Sequence, residues 1–290
     1  MIPPDAFLIR AAVPDFHCFA ARYAQASEAV RANHAHRADV SYGEGPRERI
    51  DLIFPLRRDG PAPVHVFVHG GYWRAGSKAD HAFVAAPVLR AGGIAAIVEY
   101  DLMPGRRMAG LVRQVRQAFA WIARHAPSFG GNPLRLTASG HSAGAHLASY
   151  LAARGRRDRE EPGSLSGPVP QALLLVSGIY DLRPVRHSFL QPELSLTQAE
   201  AIDWSPLRAT PDPACARTLV YGGDETVVFA DQCEQFARAL ALDGGTPSVC
   251  AYTGLHHMDI LLALGDPNHP LGVALADMVQ GKPASPAPVP

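Results

Sequence analysis

Short apolar runs without polar alternation recur along the chain, separated by helix-length segments whose apolar residues repeat every 3.6 positions. The runs are RIDLIF (49–54), VHVFV (64–68), IAAIVEY (94–100), LRLTAS (134–139), ALLLVS (172–177), RTLVYG (217–222) and SVCAY (248–252). β-Branched and aliphatic runs of this kind read as strands covered on both faces. Between them, MAGLVRQVRQAFAWIARHA sets Leu111, Val115, Ala118, Phe119 and Ile122 on one face and turns Arg113, Arg116 and Gln117 away; FADQCEQFARALAL repeats the pattern. Strands alternating with helices predict an α/β protein with a mainly parallel central sheet of about eight strands flanked by helices, because parallel neighbours need crossovers. ADVSYG and RIDLIF are separated only by the turn-like EGPRE, which predicts an antiparallel start.

No internal repeat is visible. GRRDREEPGSLSGPVP (155–170) reads as a solvated loop and GKPASPAPVP as a disordered tail over 281–290, leaving 1–280 as one domain. A chain of 290 residues is within reach of one large α/β domain. Lys and Arg total 27 against 27 for Asp and Glu, so no surplus field draws in nucleic acid or an anionic membrane, and a small-molecule partner is expected. The four cysteines form no CxxC pair and the N-terminus lacks the features of a signal peptide, which predicts reduced thiols and a cytoplasmic protein. No apolar run is long enough to span a bilayer. The thirteen histidines include the pairs His34/His36 and His256/His257, without Cys or acidic residues at a zinc spacing, so no metal site is expected.

The chemistry centres on LTASGHSAGAHLASYLAA (136–153), where a strand meets a helix through Gly140-His141-Ser142-Ala143-Gly144. A G-x-S-x-G turn is so tight that flanking Cβ atoms would collide, and it exposes its serine in a strained conformation at a helix start. A serine hydroxyl needs a base and an orienting carboxylate, which in this topology follow in the order acid, then histidine. GDETVVF after RTLVYG offers Asp224 and Glu225; TGLHHMD after SVCAY offers His256 and His257, with His269 further on. FVHGGYW (67–73) follows an earlier strand, and its glycines let backbone N–H groups turn toward an oxyanion. Gly71 and Tyr72 are the expected donors there, with Ala143 as the third. His69 and His141 sit inside these motifs.

HGGYW (69–73), GHSAGAHLA (140–148), SGIYDLRPV (177–185), LTQAEAIDWSPL (196–207) and HHMDI (256–260) resemble the α/β-hydrolase family, specifically its arylformamidase (kynurenine formamidase)-like branch. The resemblance implies an α/β-hydrolase fold with Ser142 as nucleophile, Glu225 as acid when Phe229 is aligned, and His257 as base. It also implies a metal-free, cofactor-free hydrolysis of N-formyl-kynurenine or of a short-acyl ester. A general short-chain carboxylesterase, and a hydrolase-fold binding protein without turnover, are the alternatives. The segment 178–206 stands where relatives carry a lid and reads as a short cap. Its Tyr180 and Trp204, together with Trp73, are the expected substrate-binding aromatics, with Tyr72 and Phe189 beside them.

Overall fold

The computed structural model describes residues 6–155 and 167–282. Eight strands build the central sheet: β1 (His36–Ser41), β2 (Arg49–Ile53), β3 (Ala62–Val68), β4 (Ile94–Val98), β5 (Gly131–His141), β6 (Ala172–Val176), β7 (Ala216–Gly222) and β8 (Ser248–Tyr252). Their spatial order is β1-β2-β4-β3-β5-β6-β7-β8. β2 runs antiparallel to β1 and β4, and every other neighbouring pair is parallel. All seven apolar runs therefore pair in one sheet, with the antiparallel start at its edge. The run at 94–100 leaves the sheet after Val98, whereas β5 extends beyond the run at 134–139 at both ends, Gly131 pairing with Ala62 and His141 with Val176. Of the predicted loop and tail, residues 156–166 and 283–290 lie outside the described residues.

The helices are α1 (Phe19–Asn33), α2 (Ala85–Arg90), α3 (Met108–His125), α4 (Ala143–Ser149), α5 (Gln198–Asp203), α6 (Val227–Leu242), α7 (Asp259–Gly265) and α8 (Pro270–Val279), with single turns between them. On α3 the residues Leu111, Val115, Ala118, Phe119 and Ile122 are all buried while Arg113 and Gln117 are exposed, so the predicted face is the one packed on the sheet. β3 and β4 are buried along their whole length, which is why their sequences show no alternation. Each large aliphatic or aromatic side chain removed from water here contributes about 1.5–3 kcal/mol. No helix of the described residues is long and apolar enough to cross a membrane.

Because the central strands share a direction, their carboxyl ends share an edge. His69 follows β3, Ser142 follows β5, Ser177 follows β6, Glu225 stands three residues past β7, and His257 lies five past β8. Residues far apart in the chain are thereby delivered to one side of the sheet.

Candidate active site

Ser142 sits between β5 and α4 with φ 56° and ψ −122°, a conformation L-residues avoid. The turn is possible only because its flanks lack side chains. A Cβ on Gly144 would lie 2.1 Å from Val68 O and 2.4 Å from His69 O, and one on Gly140 would lie 2.3 Å from Gly144 O. The same closeness brings the 69–73 loop against the serine: a Cβ built on Gly70 would stand 3.2 Å from Ser142 Cβ. That loop takes positive φ at three successive residues, Gly71, Tyr72 and Trp73. The N–H groups of Gly71 and Tyr72 donate to no acceptor among the described residues, and Ala143 N–H opens α4, where backbone donors lack intrahelical partners.

Glu225 and His257 meet. His257 Nδ1 lies 2.8 Å from Glu225 Oε2, and both side chains are almost completely buried. Glu225 Oε1 accepts from Gly222 N–H at 2.8 Å and from the Ser177 hydroxyl, so the carboxylate is held on both oxygens. A carboxylate can only accept, so Nδ1 carries the hydrogen, and in the neutral imidazole the lone pair is then on Nε2. His141 reinforces this placement: its Nε2 bonds the His257 carbonyl at 3.0 Å and its ring packs 4.5 Å from the His257 ring. Burial pushes the His141 imidazole well below its ordinary value, so it is neutral. No hydrogen bond links Ser142 Oγ to another described residue.

The other candidates lie elsewhere. Asp224 is exposed, one residue before the paired carboxylate. His256 turns toward α7, accepting from Met258 N–H and Asp259 N–H and pairing with the Asp259 carboxylate at 2.9 Å. His269 caps α8 by accepting from Leu271 N–H.

Ser142, His141 and His257 line a cleft of about 980 Å³ together with Gly70, Gly71 and Tyr72. Trp73, Tyr180 and Trp204, expected on the substrate, do not line it, and this corrects the sequence reading. Trp73 is fully buried, its indole N–H donating to His146 Nδ1 at 3.1 Å, while His146 Nε2–H donates to the Trp204 carbonyl at 2.8 Å. Trp204 packs edge-on against Tyr150. Tyr180 is stacked on Phe236 of α6 with ring centroids 4.3 Å apart. All three hold the 178–206 segment to the core, and from that segment it is Phe189 and Glu193 that reach the cleft.

The opposite wall is one the sequence did not announce. Residues between Leu8 and Tyr23 line the cleft. The N-terminal segment that carries them is tied to three loops around the cleft: the Tyr72 hydroxyl donates to Phe7 O, Thr226 Oγ1 to Ala6 O at 2.8 Å, and the Tyr23 hydroxyl to Met258 O at 2.7 Å. Ser177 was also missed as a site residue, although it begins the SGIYDLRPV motif; its φ of 49° aims attention at the strand end where it meets Glu225. Among the described residues no group of three or more His, Cys, Asp or Glu is arranged to hold a metal ion.

The sheet order, the strained serine and the glutamate–histidine pair define an α/β-hydrolase. The BD-FAE family matches residues 50–183. A kynurenine formamidase of Danio rerio is 29% identical over 83% of this chain and 81% of its own length. An isoprenylcysteine alpha-carbonyl methylesterase of Arabidopsis thaliana is 28% identical over 78% of this chain and 57% of its own length. Among solved structures, a Silicibacter sp. tm1040 protein carrying a provisional thioesterase name superposes with a TM-score of 0.79 at 27% identity, covering 93% of this chain and 97% of that one. The chain has the α/β-hydrolase fold, and its sequence is arylformamidase-like.

Proposed function

We propose that the protein is a serine hydrolase that cleaves a small aryl formamide, of the N-formyl-kynurenine kind, or a short-acyl ester through an acyl-enzyme. Ser142 Oγ attacks the acyl carbon while His257 Nε2 takes its proton. Glu225 keeps the hydrogen on Nδ1 and stabilises the imidazolium that forms. The tetrahedral oxyanion is received by the N–H groups of Gly71, Tyr72 and Ala143. His257 then protonates the leaving amine or alcohol, and water, deprotonated by the same nitrogen, releases the acid. This acyl transfer uses no metal and no cofactor. The observation that carries the reading is the buried Glu225–His257 bond of 2.8 Å on the cleft that Ser142 lines.

The formamide is preferred because the similarity to kynurenine formamidases spans most of both chains. A general short-chain carboxylesterase is the second reading, favoured by methylesterase relatives of nearly equal identity. The two differ in the leaving group, since an amine must be protonated to depart whereas an activated phenol need not be. Comparing kcat/KM for N-formyl-kynurenine with p-nitrophenyl acetate and butyrate separates them. Efficient formamide cleavage supports the first; ester cleavage without it supports the second; neither, from folded protein, overturns both.

A further inference from the structure

His69 begins the HGGYW loop, yet its side chain points away from the cleft into a polar cluster behind it. The ring is completely buried and lies against Tyr100, with centroids 4.4 Å apart and planes 15° from parallel. Its Nδ1 is 2.8 Å from the Gly70 carbonyl oxygen and its Nε2 is 3.0 Å from Glu99 Oε1. Neither partner offers a hydrogen. A carbonyl only accepts, and Glu99 is an ionised carboxylate, bonded by Arg47 Nη2 at 2.6 Å and by the backbone N–H groups of Lys78 and Tyr100. Burial would raise the Glu99 carboxyl, but the His69 and Arg47 interactions outweigh it and hold it below its ordinary value. A neutral imidazole would set a lone pair against one of these two oxygens at hydrogen-bond distance. Both ring nitrogens therefore carry hydrogens.

The Gly70 carbonyl and the Gly71 N–H belong to the same peptide unit. A hydrogen bond donated to a peptide oxygen polarises the amide and strengthens its N–H as a donor, and a charged donor does this more strongly than a neutral one. We propose that His69 is a buried imidazolium that acts as a positioning residue, polarising the Gly70–Gly71 peptide so that Gly71 N–H is a stronger and fixed oxyanion donor. This rests on Gly71 serving as such a donor in the reaction proposed above.

The surroundings fit that role. Arg47 also donates to Gly76 O at 3.0 Å and to Tyr100 O at 2.8 Å, and the Tyr100 hydroxyl donates to His69 O at 2.7 Å, so both ends of the loop are tied to the ion cluster. His81, whose ring lies 5.5 Å from that of His69, is neutral: burial depresses it to about 4. Glu99 is thus flanked by two cations, and the positive charge nearest the loop is the imidazolium.

Two measurements test this. The first is long-range ¹⁵N–¹H spectroscopy of the ¹⁵N-histidine-labelled full-length protein at pH 7, with His69 assigned by its loss in His69→Asn. Two protonated-type ring nitrogens are expected; one protonated and one lone-pair nitrogen would overturn the inference, and this reading needs no substrate. The second compares His69→Asn and Glu99→Gln with wild type. kcat is expected to fall by about 10²- to 10³-fold with KM changed less than threefold. Affinity for phenylboronic acid, which forms a tetrahedral adduct with a nucleophilic serine, should fall in parallel. Unchanged kcat and boronate affinity in folded variants would overturn the inference while leaving the hydrolase standing. A wild type that hydrolyses neither ester nor formamide would instead sink the proposed reaction. Should the variants fail to fold, the His69 ring is assigned in the wild type by its through-space contacts to the stacked Tyr100 ring, and that nitrogen spectrum decides.

Discussion

Replacing Glu225 with glutamine exchanges one oxygen for an NH₂ group of nearly the same volume, yet the local geometry predicts a large loss of activity. Glu225 Oε1 faces two donors, one of which, Gly222 N–H at 2.8 Å, is backbone and cannot turn into an acceptor. The oxygen of a glutamine amide must therefore take the Oε1 place, which puts its NH₂ at the Oε2 place, 2.8 Å from His257 Nδ1. An NH₂ there can only donate, so the imidazole is driven to the tautomer with its hydrogen on Nε2. That tautomer has no lone pair to accept the Ser142 proton. In a serine protease the analogous acid-to-amide change costs about 10⁴ in kcat, or about 5.4 kcal/mol of transition-state stabilisation. The same order is expected here, with KM and the far-ultraviolet circular dichroism little changed. Asp224→Asn, on an exposed side chain, should keep more than half of wild-type kcat. The assay is steady-state hydrolysis of p-nitrophenyl acetate at pH 7.5. Glu225→Gln within tenfold of wild type, or Asp224→Asn as the inactive variant, would refute the reasoning.

Gly144→Ala would drive a methyl group to 2.1 Å from a backbone oxygen of β3, and backbone cannot step aside as a side chain can; a destabilisation of about 3 kcal/mol or more is expected in urea melts, and an unchanged midpoint would contradict it. His65, His81 and His146 are buried, and burial depresses them to about 3, 4 and 4, whereas in the unfolded chain they titrate near 6.5. The unfolded state then binds more protons below pH 6.5, so stability is fully present above that pH and is lost as pH falls toward 4, each residue costing about 2 kcal/mol at pH 5. A Tm that stays flat from pH 7 to pH 5 would be the opposing result. Tyr72→Phe leaves the Phe7 carbonyl with the Ile9 N–H as its remaining donor and cuts its tie to the 69–73 loop, so it should destabilise the protein by about 0.5–1.5 kcal/mol, with earlier limited proteolysis before residue 20; indifference of both readouts would show that this contact does not hold the N-terminal wall.

Much of the fold was legible because the central strands are covered on both faces, and unalternated runs such as VHVFV carry that signature directly. The elbow was legible for a steric reason: only glycine fits at 140 and 144, so the pattern survives in the letters. The register that pairs Glu225 rather than Asp224 with His257 could be read through Phe229, which packs on the His257 ring with centroids 4.2 Å apart. The aromatics were misread because periodicity gives no direction to a side chain in irregular backbone. Trp73 follows Gly70 and Gly71 closely in sequence, but its positive φ turns it into the core toward His146. The N-terminal wall was invisible for a related reason. Its ties to the site run through backbone oxygens of Ala6, Phe7 and Met258, which any residue supplies. His69 and Glu99 are thirty positions apart, and their pairing exists only because β3 and β4 are parallel neighbours.

The central claim is that Ser142 is the nucleophile, and covalent labelling tests it most directly. The folded protein would be treated with a fluorophosphonate probe, the residual p-nitrophenyl acetate hydrolysis followed, and the modified peptide located by mass spectrometry. The account predicts one adduct per chain, on Ser142, with activity lost in proportion to labelling and neither labelling nor turnover in Ser142→Ala. Hydrolysis that persists in a fully labelled protein, or in Ser142→Ala at more than a tenth of the wild-type rate, would contradict it.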